Sequence, residues 1–147
     1  MQPHGILESA LYAPNLSATA DFYVTVLGLT VDSQLDDRHV FFKFASGMLL
    51  LFNPAETQHV GHPVNGSVIP AHGATGAGHI AFCIFERELA AWRGRLRQHH
   101  VPIESEVTWP GGGHSLYFRD PAGNSVELAT PALWKMQESR DARSADP

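Results

Sequence analysis

The apolar positions change period several times along the chain. Residues 6–13 alternate: Ile6, Glu8, Ala10 and Tyr12 face one way, and Leu7, Ser9, Leu11 and Ala13 the other. That period of two predicts a strand, which Pro14-Asn15 ends. Residues 17–27 place Ala18, Phe22, Tyr23, Val26 and Leu27 at helical spacing, and Gly28 stands where a C-terminal cap belongs. Short strands follow over 30–35, 39–45 and 48–53, with turn signals at Asp36-Asp37 and Ser46-Gly47. Residues 54–78 keep no stable period and read as a connector; a loop of this length in a compact domain is functional or mobile. The first pattern then returns. A strand is predicted over 79–85 and a helix over 86–100, with Leu89, Trp92 and Leu96 on its inner face. Glu86 and Glu88 suit the helix dipole at its start, and Pro102 marks its stop. Strands over 103–109, 115–119 and 125–130 complete the series, separated by Pro110-Gly111-Gly112-Gly113 and by Asp120-Pro121-Ala122-Gly123. The tail at 135–147 is expected to be disordered.

The pattern is βαβββ twice, so the predicted class is α+β. It comprises two modules, 5–53 and 79–130, in a single domain over 5–130, joined by the connector 54–78. Each helix covers one face of its sheet. The remaining faces are expected to form a curved mixed sheet around a cavity, a usual place for a small-molecule site.

Composition narrows the partners. A formal net charge of −5 gives no electrostatic support to nucleic-acid or anionic-membrane binding. No apolar run is long enough to cross a bilayer. The start, MQPHG, lacks the basic and apolar regions of a secretion signal, so a cytoplasmic location is expected. Cys83 is the one cysteine, which excludes an internal disulfide. Its place in the apolar run HIAFCIF predicts burial and an inert thiol.

Candidate chemistry starts from one awkward residue. In the last strand Glu127 shares a face with Ser125 and Ala129, opposite Val126 and Leu128. A carboxylate in an apolar strand must either face solvent or be held by something positive. Aligning the two helices brings Glu8 and His79 to nearly equivalent places in the first strand of each module. A carboxylate–imidazole–carboxylate set suits a divalent metal with open positions for water or substrate. Plainer readings stand beside this one. Glu127 is an exposed strand carboxylate, Glu8 pairs with an arginine, His79 is a hydrogen-bonded core histidine, and Tyr117 is packing. Arg119, before a turn, reads as solvated. His59, His62 and His72 read as loop residues, His4, His99 and His100 as surface, and His39 or His114 as a second imidazole for the site. Trp109, followed by three glycines, is either the tip of a lid or an edge-packing residue.

The segments LSATADFYVTVLGL, AGHIAFCI and SLYFRDPAGNSVEL resemble the vicinal oxygen chelate superfamily over about residues 5–130. That superfamily includes glyoxalase I, fosfomycin-resistance thiol transferases, extradiol dioxygenases and bleomycin-binding proteins. The resemblance implies metal ligands at Glu8, His79 and Glu127, for a divalent ion among Mn, Ni, Zn, Mg and Fe. Glu8 stands where His or Gln is common, and Leu50 about where glyoxalase I has a glutamate. Ser115 and Tyr117 match positions that contact substrate in the fosfomycin transferases, and Trp109 joins them as a substrate-binding candidate. The implied function is a metal-dependent, glyoxalase-like enzyme with Glu8 and Tyr117 as catalytic candidates. It would stabilise an oxyanion or enediolate in lyase, isomerase or thiol-transferase chemistry. Two alternatives come with the resemblance. One is an extradiol ring-cleaving dioxygenase. The other is a metal-free binding module of the bleomycin-resistance type, with Trp109, Tyr12 and Phe52 lining a groove. The expected partners are a small-molecule substrate and a second copy of the chain in a C₂ homodimer.

Overall fold

The structure is a computed structural model that describes residues 1–138. The part of the expected tail from residue 139 onward lies outside the described residues. The chain divides into two compact units, Met1–Gly78 with Asp120–Asn124, and His79–Arg119 with the residues from Ser125 on.

The first unit contains β1 (Glu8–Tyr12), α1 (Leu16–Thr25), β2 (Val31–Leu35), β3 (His39–Phe44) and β4 (Gly47–Phe52). Its sheet has the order β1-β4-β3-β2, with β1 parallel to β4 and the other pairs antiparallel. Helix α1 starts at Asn15, whose side chain accepts from the Ala18 amide at 3.1 Å, an N-cap. It ends where Gly28 takes a φ of 72°, a left-handed conformation that glycine adopts without strain. The helix buries Leu16, Thr19, Ala20 and Tyr23. Leu11, Val40, Phe42, Leu49 and Leu51 make up the buried side of the sheet. Each such side chain removed from water contributes about 1.5–3 kcal/mol.

The connector is more ordered than its composition predicts. It holds a one-turn helix, α2 (Pro54–Thr57), and a hairpin of β5 (His62–Val64) and β6 (Ser67–Ile69). At the hairpin tip Asn65 and Gly66 take φ of 49° and 80°. Two successive positive φ values are what a two-residue turn needs to match strand twist, and Asn-Gly supplies them.

The second unit repeats the topology. It contains β7 (His79–Cys83), α3 (Leu89–Gln98), β8 (Ser105–Thr108), β9 (His114–Arg119) and β10 (Ser125–Ala129), in the order β7-β10-β9-β8. The predicted helix over 86–100 begins as a 3₁₀ turn, Glu86–Glu88, where the Glu88 carboxylate accepts from the Phe85 amide at 3.0 Å. A further 3₁₀ turn, Pro131–Trp134, follows β10. Leu89, Leu96, Leu116, Phe118, Val126 and Leu128 form the core. Cys83 corrects an expectation, because it is exposed. Strand β7 is at the edge of its sheet, and the alternate residues His79, Ala81 and Cys83 lie on its open side. The thiol pKa is still raised, first by partial desolvation and then by the Glu138 and Glu88 carboxylates, so the cysteine stays protonated. Among the described residues no helix is long and apolar enough to cross a membrane.

The turn between β9 and β10 belongs to the first unit. Gly123 has a φ of 83° and its amide donates to the Asp120 carbonyl at 2.9 Å. Asp120 is only 4% exposed. One carboxylate oxygen accepts from the Ala122 and Asn124 amides at 2.9 and 2.8 Å. The other accepts from the Tyr23 hydroxyl at 3.0 Å and from Asn124 Nδ2 at 2.8 Å. Asn124, itself buried, accepts from the Gly78 amide at 2.7 Å and reaches the Tyr12 carbonyl at 3.3 Å. A methyl group at Gly78 would come within 3.0 Å of Leu11 and 3.1 Å of the Asn124 amide oxygen, so these neighbours would have to give way by a few tenths of an ångström. Burial, then the charge of Asp120, pushes the Tyr23 phenol well above its ordinary range.

The sign of the resulting pH dependence is set by proton counts. Above about pH 10 an unfolded tyrosine releases its proton. Native Tyr23 keeps it, so the folded state binds more protons and stability falls as pH rises. Urea midpoints are therefore expected to drop between pH 9.5 and 11, and Tyr23→Phe to lessen the drop. At pH 7 the same variant is expected to be about 1–3 kcal/mol less stable, because buried Asp120 loses a donor. Equal slopes for the two proteins would contradict the assignment.

Candidate functional site

Strand register places the chemistry of the second unit on one sheet face. Ser125 lies opposite His79 in β7, Glu127 opposite Tyr117 in β9, and Ala129 opposite Ser115. With side chains alternating, His79, Glu127, Tyr117 and Ser115 share that face.

Glu127 is buried, at 5% exposure. Its Oε1 accepts from the Tyr117 hydroxyl at 2.9 Å, and its Oε2 lies 3.3 Å from His79 Nε2. The His79 ring is about half exposed and runs nearly parallel to that of Tyr117, with centroids 6.3 Å apart. Its Nδ1 lies 3.1 Å from the Ser125 carbonyl oxygen. A carbonyl can only accept, so Nδ1 carries the hydrogen. In the neutral ring Nε2 then turns a lone pair toward the carboxylate. Two electron-rich donors this close repel unless a cation, a proton or a metal ion, is with them. Donors bound about 2.0–2.2 Å from one ion stand about 3 Å apart, and 3.3 Å is that spacing. A backbone carbonyl fixing the remote N–H of a ligand histidine is the usual arrangement around protein-bound metals. The donors present therefore fit a divalent ion.

Tyr117 stays protonated. Burial raises its pKa most, the hydrogen bond and charge of Glu127 raise it further, and the Ser115 hydroxyl works weakly the other way. Ser115 is 1% exposed and accepts from Trp109 Nε1 at 2.9 Å. Trp109 is thus tied down as well as partly exposed. Its loop closes through the Trp109 amide to the Gly113 carbonyl at 3.0 Å and the Gly112 amide to the Trp109 carbonyl at 2.9 Å. Arg119 donates to Glu104, and His114 pairs with Glu86 at 2.9 Å.

Glu8 belongs to the first unit, where it is exposed on β1 beside a cavity of about 470 Å³. Tyr12, Arg38, His39, Leu50, His62 and His72 also line that cavity. Leu50 occupies the fourth-strand position opposite Ala10. Among the described residues no group of three His, Cys, Asp or Glu side chains stands ready to hold a metal ion within one chain. His79 and Glu127 are together in the second unit, and Glu8 belongs to the first. The histidines at 62 and 72, expected as loop residues, both line this cavity. The signal that would have drawn them in is Asn65-Gly66, which marks the hairpin that carries His62.

The family model described as Glyoxalase/Bleomycin resistance protein/Dioxygenase superfamily matches residues 5–128. A lactoylglutathione lyase from Agrobacterium tumefaciens is 42% identical, with a TM-score of 0.84, over 92% of this chain and 100% of its own. A glyoxalase/bleomycin resistance protein/dioxygenase from Nocardioides is 22% identical, with a TM-score of 0.68, over 88% of this chain and 85% of its own. The oxidase ChaP-H2 is 21% identical, with a TM-score of 0.60, over 88% and 94%. The last two likenesses speak for the fold alone.

Tyr117→Phe removes one of the partners of a buried carboxylate and is expected to cost about 1–3 kcal/mol in urea unfolding. In absorbance titration at alkaline pH, wild type minus this variant is expected to show a phenol ionising above the ordinary value of about 10. A difference curve centred at or below that value would contradict the Glu127 contact.

Proposed function

Because the chain belongs to the Glyoxalase/Bleomycin resistance protein/Dioxygenase superfamily, we propose that it is a divalent-metal-dependent enzyme acting on a small oxygen-bearing substrate. The reading is lyase or isomerase chemistry of the lactoylglutathione-lyase kind, supported by the 42% identity with the Agrobacterium protein. The observation that carries it is the His79–Glu127 pair, with the imidazole hydrogen held by the Ser125 carbonyl and two lone pairs left 3.3 Å apart. Glu8 supplies a third donor from a second copy of the chain in a C₂ homodimer, which completes a set that no single chain gathers among its described residues.

A divalent ion held by His79, Glu127 and Glu8 would supply Lewis acidity toward a substrate carbonyl. The protein's own groups do the rest. Tyr117 fixes the Glu127 carboxylate and, being held protonated, acts toward substrate as a hydrogen-bond donor. Ser125 fixes the ring orientation of His79 through its backbone carbonyl. The exposed edge of His79 leaves the site open to a ligand. Leu50 cannot take a proton, and Glu8 is assigned the role of base together with ligation.

Metal analysis of the purified protein is expected to find about one equivalent of Mn, Ni, Zn, Mg or Fe per chain, and reloading the stripped protein is expected to raise its melting temperature. His79→Ala and Glu127→Gln should abolish both effects. Tyr117→Phe, which disturbs only the support of a ligand, should weaken metal affinity by about 10–100-fold. No metal uptake and no stabilisation with any of the five ions would overturn the proposal. Light scattering at micromolar concentration is expected to give twice the chain mass, and a monomer would contradict the shared site.

A further inference from the structure

The first unit carries a cavity of which the metal reading uses only Glu8. At about 470 Å³ it falls within the range of small-molecule sites. Its wall is built of rings. His39 and Phe41 stack at 4.0 Å with planes 13° apart. Phe41 meets Phe52 edge-on at 5.3 Å, and Phe52 meets His72 edge-on at 4.6 Å. Tyr12 stacks on Phe52 at 6.2 Å. All five line the cavity. Such faces and edges favour another flat π-system over a flexible chain.

The polar groups are unevenly satisfied. The Tyr12 hydroxyl and His72 Nδ1 lie 2.9 Å apart and satisfy each other. Arg38 is anchored by donating to the Glu56 carbonyl of α2. Among the described residues it has no carboxylate partner. His62, from the β5–β6 hairpin, lines the cavity with it. The pKa of His39 is lowered, by desolvation first and then by the charges of Arg38 and His62. Glu8 is the opposing charge, but it is exposed whereas Arg38 is half-buried, so screening favours the arginine.

We propose that this cavity binds a planar aromatic carboxylate, with its ring against Tyr12, Phe41 and Phe52 and its carboxylate on Arg38. Arg38 suits the charge because a guanidinium offers several parallel donors to a planar carboxylate while one of them stays on the Glu56 carbonyl. The rings and Arg38 are not among the residues proposed to hold the metal, although Glu8, which is, lines the same cavity.

Calorimetry on metal-stripped, full-length protein tests it, with 2-naphthoate, naphthalene-2-methanol, 2-naphthylmethylammonium and decanoate as probes. Naphthoate is expected to bind at least tenfold more tightly than each of the others. Arg38→Gln should remove the preference for the acid over the alcohol and leave the alcohol unchanged, while Arg38→Lys should retain part of it. Naphthoate should also shift the NMR signals of the His39 and His72 rings. The proposal is overturned if the ammonium or decanoate binds best, or if acid and alcohol bind alike. It is also overturned if Arg38→Gln changes nothing, if the histidine signals stay fixed, or if no probe binds at millimolar concentration. Metal uptake measured on the same preparations separates the two readings. A protein that takes metal but ignores naphthoate contradicts only this site, and one that binds naphthoate but no metal contradicts only the other.

Discussion

The Asp120 carboxylate is the constraint on which the first unit depends. It is 4% exposed and takes four hydrogen bonds, from two backbone amides, a tyrosine hydroxyl and an asparagine side chain. A buried charge is tolerable only when it is answered this fully; removing one donor leaves an expensive remainder. Through Tyr23 it fixes the buried face of α1, and through Asn124 it holds the Gly78 amide and approaches the Tyr12 carbonyl at the end of β1. Tyr12 is also a wall of the first-unit cavity. A turn that looks like simple chain reversal therefore sets the position of a helix, of the end of a strand and of one wall of the cavity.

The second unit solves a similar problem differently. Glu127 is as buried as Asp120, but its partners are a tyrosine hydroxyl and an imidazole nitrogen that carries no hydrogen when the ring is neutral. Asp120 is saturated and structural. Glu127 is left with one oxygen facing another donor, which is a reason to place a cation there. The contrast between the two carboxylates is the strongest physical argument that one serves the fold and the other the chemistry.

The period of two in 79–85 and 125–130 revealed the strands, and the odd carboxylate at 127 was visible because its strand neighbours are apolar. His79 was legible as its partner through the repeat. The ring tautomer was not, because it is set by a backbone carbonyl, which sequence does not display. Asp120-Pro121-Ala122-Gly123 announced a turn, but the burial of Asp120 depends on Tyr23, distant in sequence. Cys83 misled because an apolar run predicts burial on both faces, whereas the edge strand leaves one face open. The connector hid its hairpin because β5 and β6 are only three residues each, too short to show a period. The pairing of Trp109 with Ser115 likewise lay beyond pattern, since it is a contact between a loop ring and a strand hydroxyl.

Nitrogen NMR of the His79 ring tests the central claim most directly. In the metal-stripped protein Nδ1 is expected to carry a hydrogen held by the Ser125 carbonyl. Addition of Zn²⁺ should then shift Nε2 strongly while Nδ1 keeps its hydrogen. A ring with its hydrogen on Nε2, bonded to Glu127 and unmoved by the metal, would contradict it.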